Sequence, residues 1–462
     1  RHGKGAARAF HLCVLLNELL RALRSPTHRA AAAALVRAGR SGTTGVPRPE
    51  PKQQTEAGWV CFSAQDWWYH NRAHSDFQLM RGVATTRKVL LVNSIGLRMP
   101  LPGRSTTPVR RILDKARSTA KLVRRPVPGL PDYHVMTPVM LPLYGNARGR
   151  QFNAWLVRTQ VSAVSRFLGI REPVCMVTIP TAWDAVRKMK IGALIYNRSD
   201  KHSEFKESDQ DVIAGLEREL LRSADKVLYV SHELMRSERH VTGDRAYFLD
   251  HGVDLDLFRH RDTDEEPADL AAIPHPRVGY FGGLNDYQID FDLFEDLARE
   301  LPDVQLVLIG RGDEASLRRF DRYANVHVLG RRPYEEIPRY GSGFDVAVMP
   351  WLDNEWIRFA NPIKLKEYLA LRLPIVTTRF PEISAYESVV RVATRDNFVK
   401  LVRLSLTDGG PATPGARRAA VAEASWTRRS RDLVRQSELI FASQSPAPQS
   451  SAPPPVSLES AP

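Results

Sequence analysis

The run Met349-Pro-Trp-Leu-Asp-Asn-Glu-Trp-Ile-Arg-Phe-Ala-Asn-Pro-Ile-Lys-Leu-Lys-Glu-Tyr-Leu-Ala-Leu-Arg-Leu-Pro-Ile-Val-Thr-Thr378 decides the fold. An apolar strand from Asp345 to Met349 ends at Pro350, and a polar loop follows. A helix then opens near Asn361 and Pro362, where proline suits the first turn because its missing N–H would have had no partner there. Leu365 and Leu369 recur one turn apart, and Pro374 to Thr377 resumes a strand. Strand, helix, strand in this order is a βαβ unit, whose strands run parallel in one sheet. Lys364 and Glu367 lie at i and i+3 of that helix, so with the leucines turned inward both face the sheet edge. An ammonium there suits a diphosphate, and a carboxylate suits two ribose hydroxyls; an ordinary Lys–Glu surface pair is the plainer reading.

The same scheme extends in both directions. Strands are expected at Val278–Phe281, Gln305–Ile309, Val326–Leu329 and Val389–Val392, and earlier at Val60–Ser63, Lys88–Ser94, Tyr133–Thr137, Val174–Ile179, Ala193–Tyr196 and Lys226–Val230. Longer helical patterns separate most of them. One runs from a capping box at Ser208 and Asp211 through Val212, Ile213, Leu216, Leu220 and Leu221 to Ala224. The fold class is therefore α/β, with two Rossmann-like domains whose parallel sheets face each other across a cleft. At 462 residues the chain has room for both and for tails. The expected division is a disordered or misread extension over 1–56, which opens on Arg1 instead of Met and holds a short amphipathic stretch from Phe10 to Leu23. An N-terminal domain over 57–252 and an acidic, helix-poor linker over 253–276 follow, then a C-terminal domain over 277–414. A helix over 415–442 returns toward the first domain, and a disordered Ser/Pro-rich tail spans 443–462.

Ligands of open α/β sheets bind beyond the carboxyl ends of the strands, so the residues there are the candidates. Gly282 and Gly283 end one strand before a helix from about Asp290, either as a cradle for a diphosphate with help from the helix N-terminus or as a tight turn. Arg311 ends the next, where a guanidinium would grip a phosphate or the stretch is simply an exposed turn, and Arg331 and Arg332 end the third. In the first half, Asp66, Trp67, His70, Arg72 and His74 fill the loop after the first strand. Rings for sugar C–H faces and polar groups for hydroxyls suit an acceptor, with His70 or His74 as base or contact; solvated loop histidines are the alternative. Asp200 and His202 form a second polar pair at a strand end.

Three cysteines, Cys13, Cys61 and Cys175, lie far apart and make neither a disulfide framework nor a metal cluster, which fits a reducing cytoplasm. No apolar run approaches the roughly 18 residues of a spanning helix. The net charge of +14 favours an anionic partner, but no aromatic and basic recognition motif accompanies it, so nucleic acid is not expected. An anionic membrane surface, touched peripherally from the cytoplasmic side, is the other candidate.

Asn361-Pro-Ile-Lys-Leu-Lys-Glu-Tyr-Leu-Ala370, followed by Leu373-Pro-Ile-Val376, resembles the donor-site helix of family 4 glycosyltransferases with the GT-B fold. Ser223–Ser231, His251–Phe258, Asn325–Gly330, Phe344–Pro350 and Ser425-Trp426 agree in order. Phe62–Trp67 and Tyr196–Asp200 are similar to a bacterial branch typified by the teichuronic acid biosynthesis glycosyltransferases, so the resemblance covers about 58–442. It implies an enzyme that transfers a sugar, of hexosyl type, from a UDP- or GDP-linked donor to a glycan, lipid-linked or small-molecule acceptor in cell-envelope polysaccharide synthesis. Retention of configuration and no metal or other cofactor are further implications. Glu367 matches the second glutamate of the family's pair, which binds the donor ribose. The first falls at Phe359, leaving Glu355 as its candidate substitute. Gly283 stands where the family often has Arg, and Gln288 or Ile289 near its Lys, so Lys364, Arg311, Arg331 and Arg332 are the candidates to meet the phosphates. A nucleotide-sugar epimerase and a nucleotide- or glycan-binding protein without turnover are the alternatives.

Overall fold

The structure is a computed structural model that describes residues 56–69, 72–95, 123–141, 147–202, 210–261 and 266–444. His70, the Ser208 capping box, the acidic residues Asp262, Asp264 and Glu265, the Phe10–Leu23 stretch and the Ser/Pro-rich tail from 445 on lie outside the described residues.

The first sheet holds β1 (Trp59–Phe62), β2 (Val89–Val92), β3 (Val123–Arg124), β4 (Tyr133–Met136), β5 (Val174–Val177), β6 (Ala193–Arg198), β7 (Lys226–Tyr229) and β8 (Ala246–Phe248), in spatial order β3-β4-β2-β1-β5-β6-β7-β8. All its pairings are parallel except β3 with β4. Strands covered on both faces read as continuous apolar runs, such as Val89-Leu-Leu-Val92, because neither face meets water. Alternate residues feed two cores: Val60, Phe62, Leu90 and Val92 on one face, Trp59, Cys61, Val89 and Leu91 on the other. The short β3 and β8 escape a pattern search because two or three half-buried residues carry no periodicity.

The covering helices are α1 (Ser75–Val83), α2 (Ala147–Phe167), α3 (Gln210–Ser223) and α4 (His232–Thr242). In α3, Ile213, Leu216, Leu220 and Leu221 are buried, the stripe expected from their spacing. Ser231 caps α4 by accepting from the Leu234 N–H.

The second sheet comprises β9 (Arg277–Phe281), β10 (Gln305–Ile309), β11 (Val326–Gly330), β12 (Val346–Met349), β13 (Ile375–Thr378) and β14 (Arg391–Ala393) in the order β11-β10-β9-β12-β13-β14, all parallel. Its main helices are α5 (Phe291–Glu300), α6 (Ile363–Ala370) and α7 (Phe398–Asp408). The strand order steps away from β9 in both directions, which opens a crevice beyond its carboxyl end. The last helix, α8 (Trp426–Gln444), leaves this sheet and packs on the first: Trp426, Leu433, Ile440 and Phe441 join the Trp59 core, and Ser430 Oγ donates to Leu79 O at 3.0 Å.

One boundary needs correcting. The supposed linker 253–276 belongs largely to the C-terminal core, since Val253, Phe258, Leu270 and Ile273 are buried in it and Ala268–Ala271 forms a helical turn. Glu266 there is no solvent-facing acid: its carboxylate takes the buried Arg277 guanidinium at 3.0 Å. Burying an arginine requires such a partner, and that demand draws the segment inward.

Candidate functional site

The residues that converge beyond β9 come mainly from α6. Gly282 has φ +146°, and a Cβ placed on it would lie 2.5 Å from Lys364 Nζ, so only glycine leaves the ammonium its place. Lys364 Nζ donates to Tyr280 Oη at 3.0 Å and sits over the rings of Tyr280 and Trp351, at 5.1 and 5.7 Å. Aromatic faces hold a cation without neutralising it, which leaves the charge available to an anion.

One turn on, Glu367 is buried and accepts from Tyr334 Oη at 2.9 Å. Burial pushes its carboxyl up to about 7, against the opposing pull of the Tyr334 bond and the Lys364 charge. Tyr334, the first residue after Pro333, joins the site from 33 positions away, and a lone tyrosine in a polar stretch gives no signal of which carboxylate it will meet. Tyr368 completes the helix's attachment by accepting the Phe281 N–H at 2.9 Å. On the opposite side, Lys366 is buried beside Asp250 at 2.9 Å, and Asn361 Nδ2 donates to Asp250 at 2.8 Å and to Val230 O at 2.7 Å. The helix is thus pinned to both halves of the protein while Lys364 and Glu367 face the crevice side.

The expected diphosphate cradle differs in one respect. The N-terminus of α5 is already occupied, because Asp290 accepts from the Asp292 and Leu293 N–H groups and is paired with Arg395. A capped helix end has little to offer an anion, so the positive charge at this strand end comes from Lys364. Gly283 stays in the turn, its carbonyl accepting from Tyr280 Oη at 2.9 Å.

Arg311 and Arg331 line one cavity of about 420 Å³ at the carboxyl ends of β10 and β11, together with Gly310, Gly312, Leu317 and Arg318. Arg332 is not with them. Its guanidinium donates to Asp269 at 2.5 Å and to Tyr340 Oη at 2.7 Å, so the expected phosphate contact is replaced by an internal ion pair. Glu355 opens the short helix Glu355–Arg358 and is mostly exposed, 4.0 Å from Lys201 of the N-terminal half. Phe359, at the position of the family's first glutamate, packs against the first sheet's core, with the Lys201 ammonium 5.8 Å from its ring centre.

The N-terminal candidates divide. Trp67 is 2% exposed and packs on Phe77 and Tyr133 at 5.0 and 5.3 Å, so it is core and not an acceptor platform; an indole beside an apolar strand end is drawn inward by the area it buries. Asp66 is buried and serves its own loop, accepting the Trp68 N–H at 3.0 Å. Arg72 remains half-exposed over the Trp67 ring at 5.5 Å and reaches Glu335 at 3.6 Å across to the C-terminal half. His74 precedes α1, edge-on to Phe77 at 5.9 Å. Asp76, unremarked in the sequence, accepts from Ser63 Oγ at 2.6 Å and the Ala64 N–H at 3.2 Å, and so fixes the loop leaving β1.

Asp200 has surface open to water, yet protein rings it closely and desolvation pushes its carboxyl up to about 6. Behind it Arg198 is buried, held by Glu217 and, at 2.9 Å, Glu238, and donates to Asp200 O at 2.8 Å. His202 is buried in the same cluster; desolvation and the Arg198 charge press its pKa down to about 3, so it is neutral near pH 7. Among the described residues no group of three or more His, Cys, Asp or Glu is placed to hold a metal ion, and no helix is long and apolar enough to cross a membrane.

Residues 275–403, which include all of the second sheet, Lys364 and Glu367, match the family model described as Glycosyl transferases group 1. TuaH of Bacillus subtilis (strain 168), named as a teichuronic acid biosynthesis glycosyltransferase, is 26% identical over 198 residues. That match covers 42% of this chain and 49% of TuaH, about half the length of the relative. Among solved structures, sucrose-phosphate synthase from Thermosynechococcus elongatus superposes with a TM-score of 0.62 at 15% identity, covering 84% of this chain and 100% of that one. HepE of Anabaena, in complex with UDP and glucose, gives 0.59 at 13% identity over 83% and 99% of the two chains. The two parallel-dominated sheets are those of the GT-B fold.

Proposed function

We propose that this protein is a glycosyltransferase that moves a hexose-type sugar from a nucleoside diphosphate donor to a glycan, lipid-linked or small-molecule acceptor, with retention and without a metal. The observation that carries this reading is the pairing of Lys364, held on aromatic faces beside Gly282, with the buried Glu367 one turn later on α6. HepE, of similar fold, is solved with UDP and with UDP-glucose. Departure of a nucleoside diphosphate develops negative charge on its oxygens, and a fixed ammonium stabilises that charge without reorganising. Glu367, when ionised, offers two oxygens to ribose hydroxyls. Arg311 and Arg331, in the adjoining cavity, supply further charge to the donor. Asp200, His74 and Arg72 border the acceptor side, where Asp200 is the proposed base because its raised pKa lies closer to neutrality.

Phe359 favours one second reading, a protein that binds the nucleotide and does not turn it over, since an apolar ring occupies the first glutamate's position. Calorimetric titration with UDP, GDP and ADP, magnesium omitted, tests the site: one nucleotide should saturate wild type and lose at least tenfold affinity in Glu367→Ala and Lys364→Ala, about the effect of one charged hydrogen bond. Absence of binding to all three would remove the donor site. Binding with no sugar transferred or donor altered, in the presence of a membrane extract as acceptor source, would favour the second reading. Turnover abolished by EDTA would contradict metal independence.

A further inference from the structure

The long helix α2 presents a face with no place in the donor chemistry. Gly149, Asn153, Val157, Val161 and Ser165 turn inward at helical spacing, which leaves Arg148, Phe152, Trp155, Thr159 and Arg166 along the opposite side. Phe152 and Trp155 are 44% and 49% exposed and lean on each other with ring centres 5.5 Å apart, and Phe167 at the helix end is 78% exposed. Burial of large aromatic rings is strongly favourable, so a contiguous pair left in water marks a contact surface. The helix contains four arginines, Arg148, Arg150, Arg158 and Arg166, and no acidic residue. Beside it, Asp184 is answered by Arg187 at 2.8 Å, and Lys188 stands exposed at the rim of the Trp155–Arg158 groove.

We infer that this face of α2 docks on an anionic lipid bilayer, with Phe152 and Trp155 entering the headgroup region and the arginines lying over lipid phosphates. Aromatic residues flanked by cations on one helical face are the composition that binds membrane interfaces, the rings by buried area and the arginines by attraction to anionic headgroups. Charge selects this occupant over the alternatives. A second copy apposed through the same face would set Arg148, Arg158 and Arg166 against their own copies. Of the long segments outside the described residues, 1–55 and 96–122 carry an excess of Lys and Arg themselves, and 445–462 offers a single charge, Glu459, so none complements the helix. The inference stands on this surface alone and does not depend on the donor site.

Flotation of the full chain with vesicles tests it, using phosphatidylcholine alone and phosphatidylcholine with one third phosphatidylglycerol. Wild type should float with the anionic vesicles at low salt, be released at high salt and ignore the neutral ones. The double variant Phe152→Ser/Trp155→Ser should lose most of that binding, and Arg148→Gln, Arg158→Gln and Arg166→Gln should each weaken it about fivefold. Nucleotide titration and thermal melting of the same preparations confirm that the variants are folded, and separate a failure here from a failure of the donor site. The inference is overturned if wild type does not bind anionic vesicles, if the aromatic variant binds them unchanged, or if binding is equal on neutral vesicles. It is also overturned if light scattering shows a dimer that the aromatic substitutions dissociate, which would make the face a contact between copies.

Discussion

Glu367 ties stability to pH in a direction opposite to that of an ordinary paired carboxylate. Its folded pKa, raised by burial from 4.5 to about 7, means that the native state holds a proton that the unfolded state has released between those values. Its contribution is therefore fully present below pH 4.5 and is lost as pH climbs through 7, a change on the order of 3 kcal/mol. Glu367→Gln should flatten this part of the profile of unfolding free energy against pH, measured in urea. Nucleotide affinity should run the other way, rising between pH 6 and 8, because the ionised carboxylate is the better acceptor for ribose hydroxyls. Gly310 is the second residue-scale test. It has φ +158°, and a Cβ there would overlap the Gly282 carbonyl oxygen, so Gly310→Ala should destabilise by about 3 kcal/mol or more and disturb Lys364's neighbour as well.

At the scale of elements, α8 is the link between the halves, and its closeness to α1 depends on Gly82. A Cβ at Gly82 would overlap the Ser430 side chain, whose hydroxyl already binds Leu79 O. Gly82→Ala should therefore cost about 1–3 kcal/mol by overpacking, and adding Ser430→Gly should recover part of it in a double-mutant cycle. The helix α6 shows how much of an element is readable beforehand. Its proline start, its inward leucines and the i, i+3 placement of Lys364 and Glu367 follow from spacing. That Lys366, two residues from Lys364, is buried does not, since it depends on Asp250 arriving from the end of the other sheet.

Across the whole molecule the halves meet through charged contacts of unequal weight. Arg72–Glu335, Lys201–Glu355 and Arg358–Glu233 each have at least one partner mostly in water, whereas Lys366, Asp250 and Asn361 form a buried knot that Arg429 of α8 approaches at 3.5 Å. Asp250→Ala leaves a buried ammonium without its counter-charge and should destabilise by about 3–5 kcal/mol. Glu355→Ala should stay within about 0.5 kcal/mol. Urea titration of both variants measures the difference, and equal effects would mean that the buried knot is not what holds the halves in register.

The sequence by itself determined the two parallel sheets, since buried strands must be continuous apolar runs and the helices between them must carry a stripe. It also determined the helix that bears Lys364 and Glu367, because those constraints are local. Only the tertiary structure decided which polar residues reach the crevice. Trp67 went to the core for the area it buries and Arg332 to Asp269, while Tyr334 came to Glu367 from a turn 33 residues earlier. Each of those outcomes is a choice of partner, and partners far apart in sequence are set by packing, which no local pattern encodes.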